Sequence, residues 1–177
     1  MFKMIRSRLE EDGDPFSGDV EADETFVGGQ RKGQGEHGTV GKTPVVGVVQ
    51  RKGRVKAVVV PDTKGKTLTD IVQSTVERGA NVHTDEWQGY SQLPALGYNH
   101  YTILHRSKIY AMGNVHTQTI EGFWAMVKNA VNGVHHGVAT KYLQNYVNEY
   151  SFRYNHRSDV TPMFQSILHR VGMSLGD

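Results

Sequence analysis

The stretch Gly18-Asp19-Val20-Glu21-Ala22-Asp23-Glu24-Thr25-Phe26-Val27 reads as an extended strand. A two-residue period puts Glu21, Asp23 and Thr25 on one face and Ala22, Glu24 and Phe26 on the other. Ahead of it, residues 1–19 are polar and interrupted by Gly13, Asp14, Pro15 and Gly18, which predicts no continuous element there. Behind it, Gly28 to Gly41 is rich in glycine and charge and reads as a flexible loop.

Outward from this strand the pattern changes in steps. Thr43 to Gln50 and Val55 to Val60 are valine-rich runs joined by Arg51-Lys52-Gly53-Arg54, which predicts a hairpin. Thr67-Leu68-Thr69-Asp70 has the form of a capping box, with Asp in the place usually held by Glu or Gln. It opens a helix with Leu68, Ile71, Val72 and Val76 at helical spacing, ending near Gly79. Asn81 to Asp85 is a fourth strand and Tyr101 to Leu104 a fifth. Gln118 to Val131 is an amphipathic helix with Ile120, Phe123, Trp124, Val127 and Val131 along one side. Thr140 to Tyr154 is another, striped by Leu143, Tyr146, Val147 and Tyr150. Three strands, a helix, two strands and two helices predict an α/β domain, a mixed sheet covered by helices. One domain is expected over residues 20–157, with 1–19 leading into it and 158–177 forming a tail or short helix.

Composition narrows the class of protein. The chain has 177 residues, 37% hydrophobic and 21% charged, as suits a globular domain. Without cysteine there is neither a disulfide framework nor cysteine-ligated zinc, and the cytoplasm is the expected compartment. No apolar run approaches the roughly 20 residues that cross a bilayer, and no secretory signal is evident at the start. The net charge of +2 is too small to indicate a polyanionic partner by itself. Its distribution is uneven: residues 9–24 are acid-rich, whereas the following stretch, from Arg31 to Lys66, is basic.

Three acids carry the functional reading: Asp23 and Asp85 on strands and Glu121 near the start of a helix. Brought together, they make an all-oxygen site of the kind Mg²⁺ prefers, and two such ions support phosphoryl transfer. Adjacent first and fourth strands would let Asp23 and Asp85 converge, with Glu121 packed across the same edge. Lys128 lies two helical turns beyond Glu121 on nearly the same face, suited to a phosphate backbone. Taken one at a time, the acids also read as a solvated surface residue, a turn residue at Asp85-Glu86, and a helix N-terminal charge at Glu121. His83 shares a strand face with Asp85 and reads either as a metal neighbour or as a hydrogen-bonded structural histidine. Asn114 and His116 precede the Glu121 helix and read as phosphate contacts or as loop and cap residues. Trp87 and Tyr90 read as stacking surfaces for a base or as packing groups. Trp124 lies on the apolar stripe and is expected in the core. Arg153 and Arg157 suit phosphate contacts and equally suit the negative end of a helix dipole. The glycine-rich loop contains neither GxGxxG nor GxxxxGK[ST], so no nucleotide fingerprint is present.

Four ordered segments add a resemblance. They are Glu21-Ala22-Asp23-Glu24-Thr25-Phe26-Val27-Gly28-Gly29, His83-Thr84-Asp85-Glu86-Trp87-Gln88-Gly89-Tyr90, His116-Thr117-Gln118-Thr119-Ile120-Glu121-Gly122-Phe123-Trp124 and Tyr150-Ser151-Phe152-Arg153-Tyr154-Asn155-His156-Arg157. Together they resemble the transposase domain of ISXO-type bacterial insertion sequences, over about residues 20–157. The resemblance implies a ribonuclease H-like mixed five-stranded sheet and an Asp-Asp-Glu site at Asp23, Asp85 and Glu121. The 35 residues between Asp85 and Glu121 match the separation in related integrases. It implies two Mg²⁺ or Mn²⁺ ions, DNA cleavage at a transposon end, and attack of the freed 3′-hydroxyl on target DNA by a homo-oligomer. Members of the family usually carry an N-terminal module that reads the transposon ends, and the roughly twenty polar, cysteine-free residues before the first strand are not expected to form one. The alternatives are a metal-dependent nuclease of the same fold and a catalytically silent DNA-binding remnant.

Overall fold

The computed structural model describes residues 2–28, 41–103, 117–134 and 138–173. Most of the glycine-rich loop, Leu104, Asn114 and His116 lie outside the described residues. In chain order the elements are α1 (Phe2–Ser7), β1 (Asp19–Val27), β2 (Thr43–Gln50), β3 (Val55–Val59), α2 (Gly65–Thr75), β4 (Asn81–Thr84), β5 (Asn99–Thr102), α3 (Gln118–Asn129), α4 (Thr140–Asn155) and α5 (Met163–Met173). The strands form one five-stranded sheet in the order β3-β2-β1-β4-β5. β1, β2 and β3 pair antiparallel, whereas β4 joins β1 and β5 in parallel. This is the mixed, helix-flanked sheet of a ribonuclease H-like fold.

Both faces of the central strands β1 and β2 are covered, which is why the valine run of β2 is continuous instead of alternating. Val20, Ala22, Val46 and Val48 pack with Leu68 and Val72 of α2 on one side. Val27, Val45 and Val49 pack with Ile120, Phe123, Trp124 and Val127 of α3 and with Leu143 and Val147 of α4 on the other. Gly47 lies in the second row: a Cβ there would sit 2.6 Å from the Trp124 ring. The missing side chain is what lets the indole lie flat on β2.

The outer border of β3 is closed by side chains. Asn155 accepts from the Val55 N–H at 2.8 Å and donates to the Val55 carbonyl at 3.1 Å. Gln144, three helical turns earlier on α4, accepts from the Val59 N–H at 2.6 Å and donates to the Ala57 carbonyl at 3.1 Å. An amide side chain presents the same donor and acceptor pair as a neighbouring strand, so α4 satisfies groups that an open edge would leave to solvent.

Three expectations are corrected. The leading segment is not devoid of structure: α1 forms there, Arg6 pairs with Glu149 of α4, and Phe16 bridges to Val76. Its order comes from tertiary partners that local sequence does not display. The capping box does not form. Asp62 accepts from the Lys64 N–H and the Thr67 hydroxyl, and Asp70 pairs with Lys66, so α2 starts two residues earlier than Thr67. The fifth strand runs from Asn99 to Thr102, because its register is set by pairing Asn81 with Asn99 and not by its own apolar residues.

Candidate active site

β1 and β4 are neighbours, as convergence of the two aspartates requires. Their pairing runs Asp19 to Asn81, Val20 to Val82 and Glu21 to His83. Two residues further along in the same register stand Asp23 and Asp85. Asp85 is fixed by its turn: its carboxylate accepts from the Trp87 N–H at 2.9 Å. Asp23 faces α3, where the Trp124 indole N–H donates to its carboxylate at 3.0 Å. Trp124 is therefore core, as expected, and also a ligand of the carboxylate beneath it.

α3 reaches this position because of Glu21. The Glu21 side chain is fully buried and accepts from the N–H groups of Thr119 and Ile120 at 2.9 and 3.0 Å. It also accepts from the Thr119 hydroxyl at 3.0 Å and pairs with Arg51 at 2.9 Å. Helix N-termini leave their first amides unsatisfied and carry partial positive charge, and Glu21 supplies an anion from a distant strand. Glu121 then falls in the first turn of α3, exposed, with the Thr117 hydroxyl donating to its carboxylate at 3.2 Å.

The electrostatics of the two strand carboxylates are strained. Burial pushes the Asp23 carboxyl up to about 6, with the charge of Asp85 and then that of Glu121 adding to the rise against the bonds from the Glu24 backbone and Trp124. Glu24, on the opposite face of β1, is pushed up to about 7, chiefly by burial and further by Asp23 and Asp85. The buried Tyr90 hydroxyl donates to Glu24 at 3.0 Å and opposes that rise. Like charges crowd a half-buried position, and a divalent ion would relieve that crowding. The donor set is all carboxylate, which fits a hard ion. Among the described residues, however, no three His, Cys, Asp or Glu side chains approach closely enough to enclose one ion.

The remaining predicted residues are dispersed. Lys128 is exposed on α3 beyond Glu121. Trp87 is exposed beside Asp85, whereas Tyr90 is buried. Arg153 is paired with Glu149 at 2.8 Å, and Arg157 lies over the Tyr154 ring and donates to the Gly53 carbonyl at 3.2 Å. Gly53 belongs to the β2–β3 turn, at the end of the sheet away from Asp85, so the two arginines do not join the acidic group. His83 is structural in its contacts: its Nε2 meets Asp19 at 3.0 Å and its ring stacks on Tyr101. Sequence reading placed Glu21 on the face of Asp23 but assigned it no role. The available signal was an acid flanked by Val20 and Ala22, with Arg51 placed to pair across the hairpin.

Comparison with known proteins places the chain in a family. The family model described as the ISXO2-like transposase domain matches residues 15–155. An uncharacterized transposase-like protein of Haemophilus influenzae is 28% identical over 104 residues, covering 59% of this chain and 83% of that protein. No described helix is long and apolar enough to cross a membrane.

Proposed function

We propose that this chain, which belongs to the ISXO2-like transposase domain family, catalyses metal-dependent cleavage and strand transfer of an insertion sequence, with Asp23, Asp85 and Glu121 as its catalytic acids. The observation that carries the reading is the parallel pairing of β1 with β4, which brings the Asp23 and Asp85 ends of the two strands together where α3 packs on Asp23 and carries Glu121 in its first turn. Asp23, Asp85 and Glu121, drawn closer than they stand here, would hold Mg²⁺ or Mn²⁺, and the ions would supply activation of the attacking oxygen and stabilisation of the leaving oxygen. Water first displaces the 3′-oxygen from a phosphodiester at the transposon end. The freed 3′-hydroxyl then displaces a second 3′-oxygen in the target, so one P–O bond forms for each that breaks.

The chain's own residues set the stage for these steps. The Trp124 N–H orients the Asp23 carboxylate, and the Thr117 hydroxyl orients Glu121. Glu21 holds the first turn of α3 at the sheet, and Lys128 continues the exposed face toward phosphate. Trp87 is assigned to the DNA strand beside Asp85. Arg153 and Arg157 are assigned to backbone contacts away from the three acids, and His116, which lies outside the described residues, to a phosphate contact. Joining two ends needs two active sites held together, so the acting form is a homo-oligomer on DNA.

The test is a nicking and strand-transfer assay on end-containing DNA with Mg²⁺ or Mn²⁺. Asp23→Asn, Asp85→Asn and Glu121→Gln should each lower both steps by at least about a thousandfold, with circular dichroism unchanged. Full activity in any one of them rejects the assignment. Cleavage without joined product would assign the chain to nucleases of this fold, and salt-sensitive DNA binding without chemistry would make it a silent remnant.

A further inference from the structure

Beside Asp85 lies a cleft of about 450 Å³ between the segment leading into α2 and the turn that follows β4. Trp87 forms one wall. Its side chain is large and apolar yet 50% exposed. It is nevertheless held in place, since its backbone N–H is bound to the Asp85 carboxylate and its indole N–H reaches the Thr63 carbonyl at 3.4 Å. Gly89 lets the ring edge lie against the main chain: a Cβ there would stand 2.8 Å from the indole and 2.6 Å from Leu68. A ring supported on one side and open on the other has already lost its rotational freedom, so stacking a flat partner on it costs little further entropy. Lys64 lines the cleft with its side chain 82% exposed and its ammonium 3.6 Å from Asp62, and Lys66, one residue past the lining, is 85% exposed and pairs with Asp70 at 2.7 Å. Asp62 also lines the cleft, but its carboxylate is committed to the Lys64 N–H and the Thr67 hydroxyl.

We propose that this cleft receives one unstacked base of a single-stranded DNA segment, its ring on Trp87 and its flanking phosphates toward Lys64 and Lys66. The proposal rests on the transposase reading and deepens it, because the strand passing Asp85 is then locally unpaired. A base within a duplex has both faces covered by its neighbours and cannot offer one to the indole. An unpaired base can, whatever its identity, since every base has a π-face. The nearest catalytic acid is attached to the same turn: Asp85 binds the Trp87 amide, so seating the base also sets the register of the strand against Asp85.

The chain's two tryptophans make the test direct. Trp124 is only 4% exposed, so quenching by added DNA reports on Trp87. In EDTA, to prevent chemistry, a short single-stranded oligonucleotide should quench the emission of the full chain. An abasic strand of equal length and charge, and a blunt duplex, should bind without quenching. Trp87→Ala should lose the quench and weaken single-strand binding roughly tenfold. Unchanged Trp124 emission in Trp87→Ala reports an intact fold. Equal quenching by the abasic strand or the duplex, or undiminished binding by a folded Trp87→Ala, overturns the proposal. Glu121→Gln should quench like the parent chain. Base-dependent quenching in a protein that neither nicks nor joins would leave this site standing and remove the transposase reading instead.

Discussion

Two carboxylates two residues apart on one strand face the same helix and live in opposite circumstances. Glu21 is fully buried and saturated: two backbone amides, a hydroxyl and a guanidinium meet it. Asp23 has the Trp124 indole N–H, a backbone bond at Glu24, and two acids that raise its pKa. The lower half of β1 thus spends its acid on holding α3, whereas the upper half keeps negative charge in excess. The contrast separates structural from functional acids more sharply than burial does, since burial alone would rank Glu21 first. A buried ion whose lone pairs are all met is architecture; one left with like-charged neighbours is a candidate for chemistry.

The strongest way to break the contrast is to remove the saturated member. Glu21→Ala strips Arg51 of its carboxylate and the α3 amides of their acceptor, and should cost about 3–5 kcal/mol in urea unfolding. A loss below about 1 kcal/mol would mean that α3 is docked by its apolar face alone.

Asp23→Asn should do the reverse. The folded-state pKa of Asp23 is raised from 3.8 to about 6, so the folded chain holds a proton that the unfolded chain has released. In metal-free buffer stability therefore falls as pH rises from about 4 to about 6, by on the order of 2 kcal/mol. Glu24, raised from 4.5 to about 7, extends the decline toward neutrality. The asparagine variant should be more stable than the parent at pH 7, with a flatter thermal-unfolding profile between pH 4 and 6. A parent chain that gains stability across that window would reverse the sign assigned to this half of the strand.

Two smaller changes sharpen the picture. Tyr90→Phe deletes the donor that restrains Glu24, and should lower the melting temperature by the equivalent of about 1 kcal/mol while moving the Glu24 titration, followed by NMR, to higher pH. Thr119→Ala removes one of several donors to Glu21 and should cost less than about 1 kcal/mol by chemical denaturation, because the backbone amides remain.

Much of this arrangement can be read from residue order. Strand alternation placed Glu21 and Asp23 on one face, and the valine runs marked a hairpin. The acids at Asp85 and Glu121 were singled out by type and spacing. What stayed hidden depends on partners far along the chain. Nothing local to Glu21 announces that it will cap a helix beginning at Gln118, and nothing near Phe2 announces Glu149. The capping box at Thr67 misled because Asp62, just upstream, competes for the same hydroxyl. The pairing of Arg153 with Glu149 follows from helical spacing, whereas the bond from Arg157 to the Gly53 carbonyl reaches a turn far earlier in the chain.

The amide zipper along β3 has an implication for how copies of the chain meet. With Gln144 and Asn155 occupying four backbone groups of that strand, a second molecule has no hydrogen-bonding ledge to build on there. A strand added at this border would first have to displace both amides. Lateral polymerisation, which needs two open borders per molecule, is closed off by a pair of uncharged side chains.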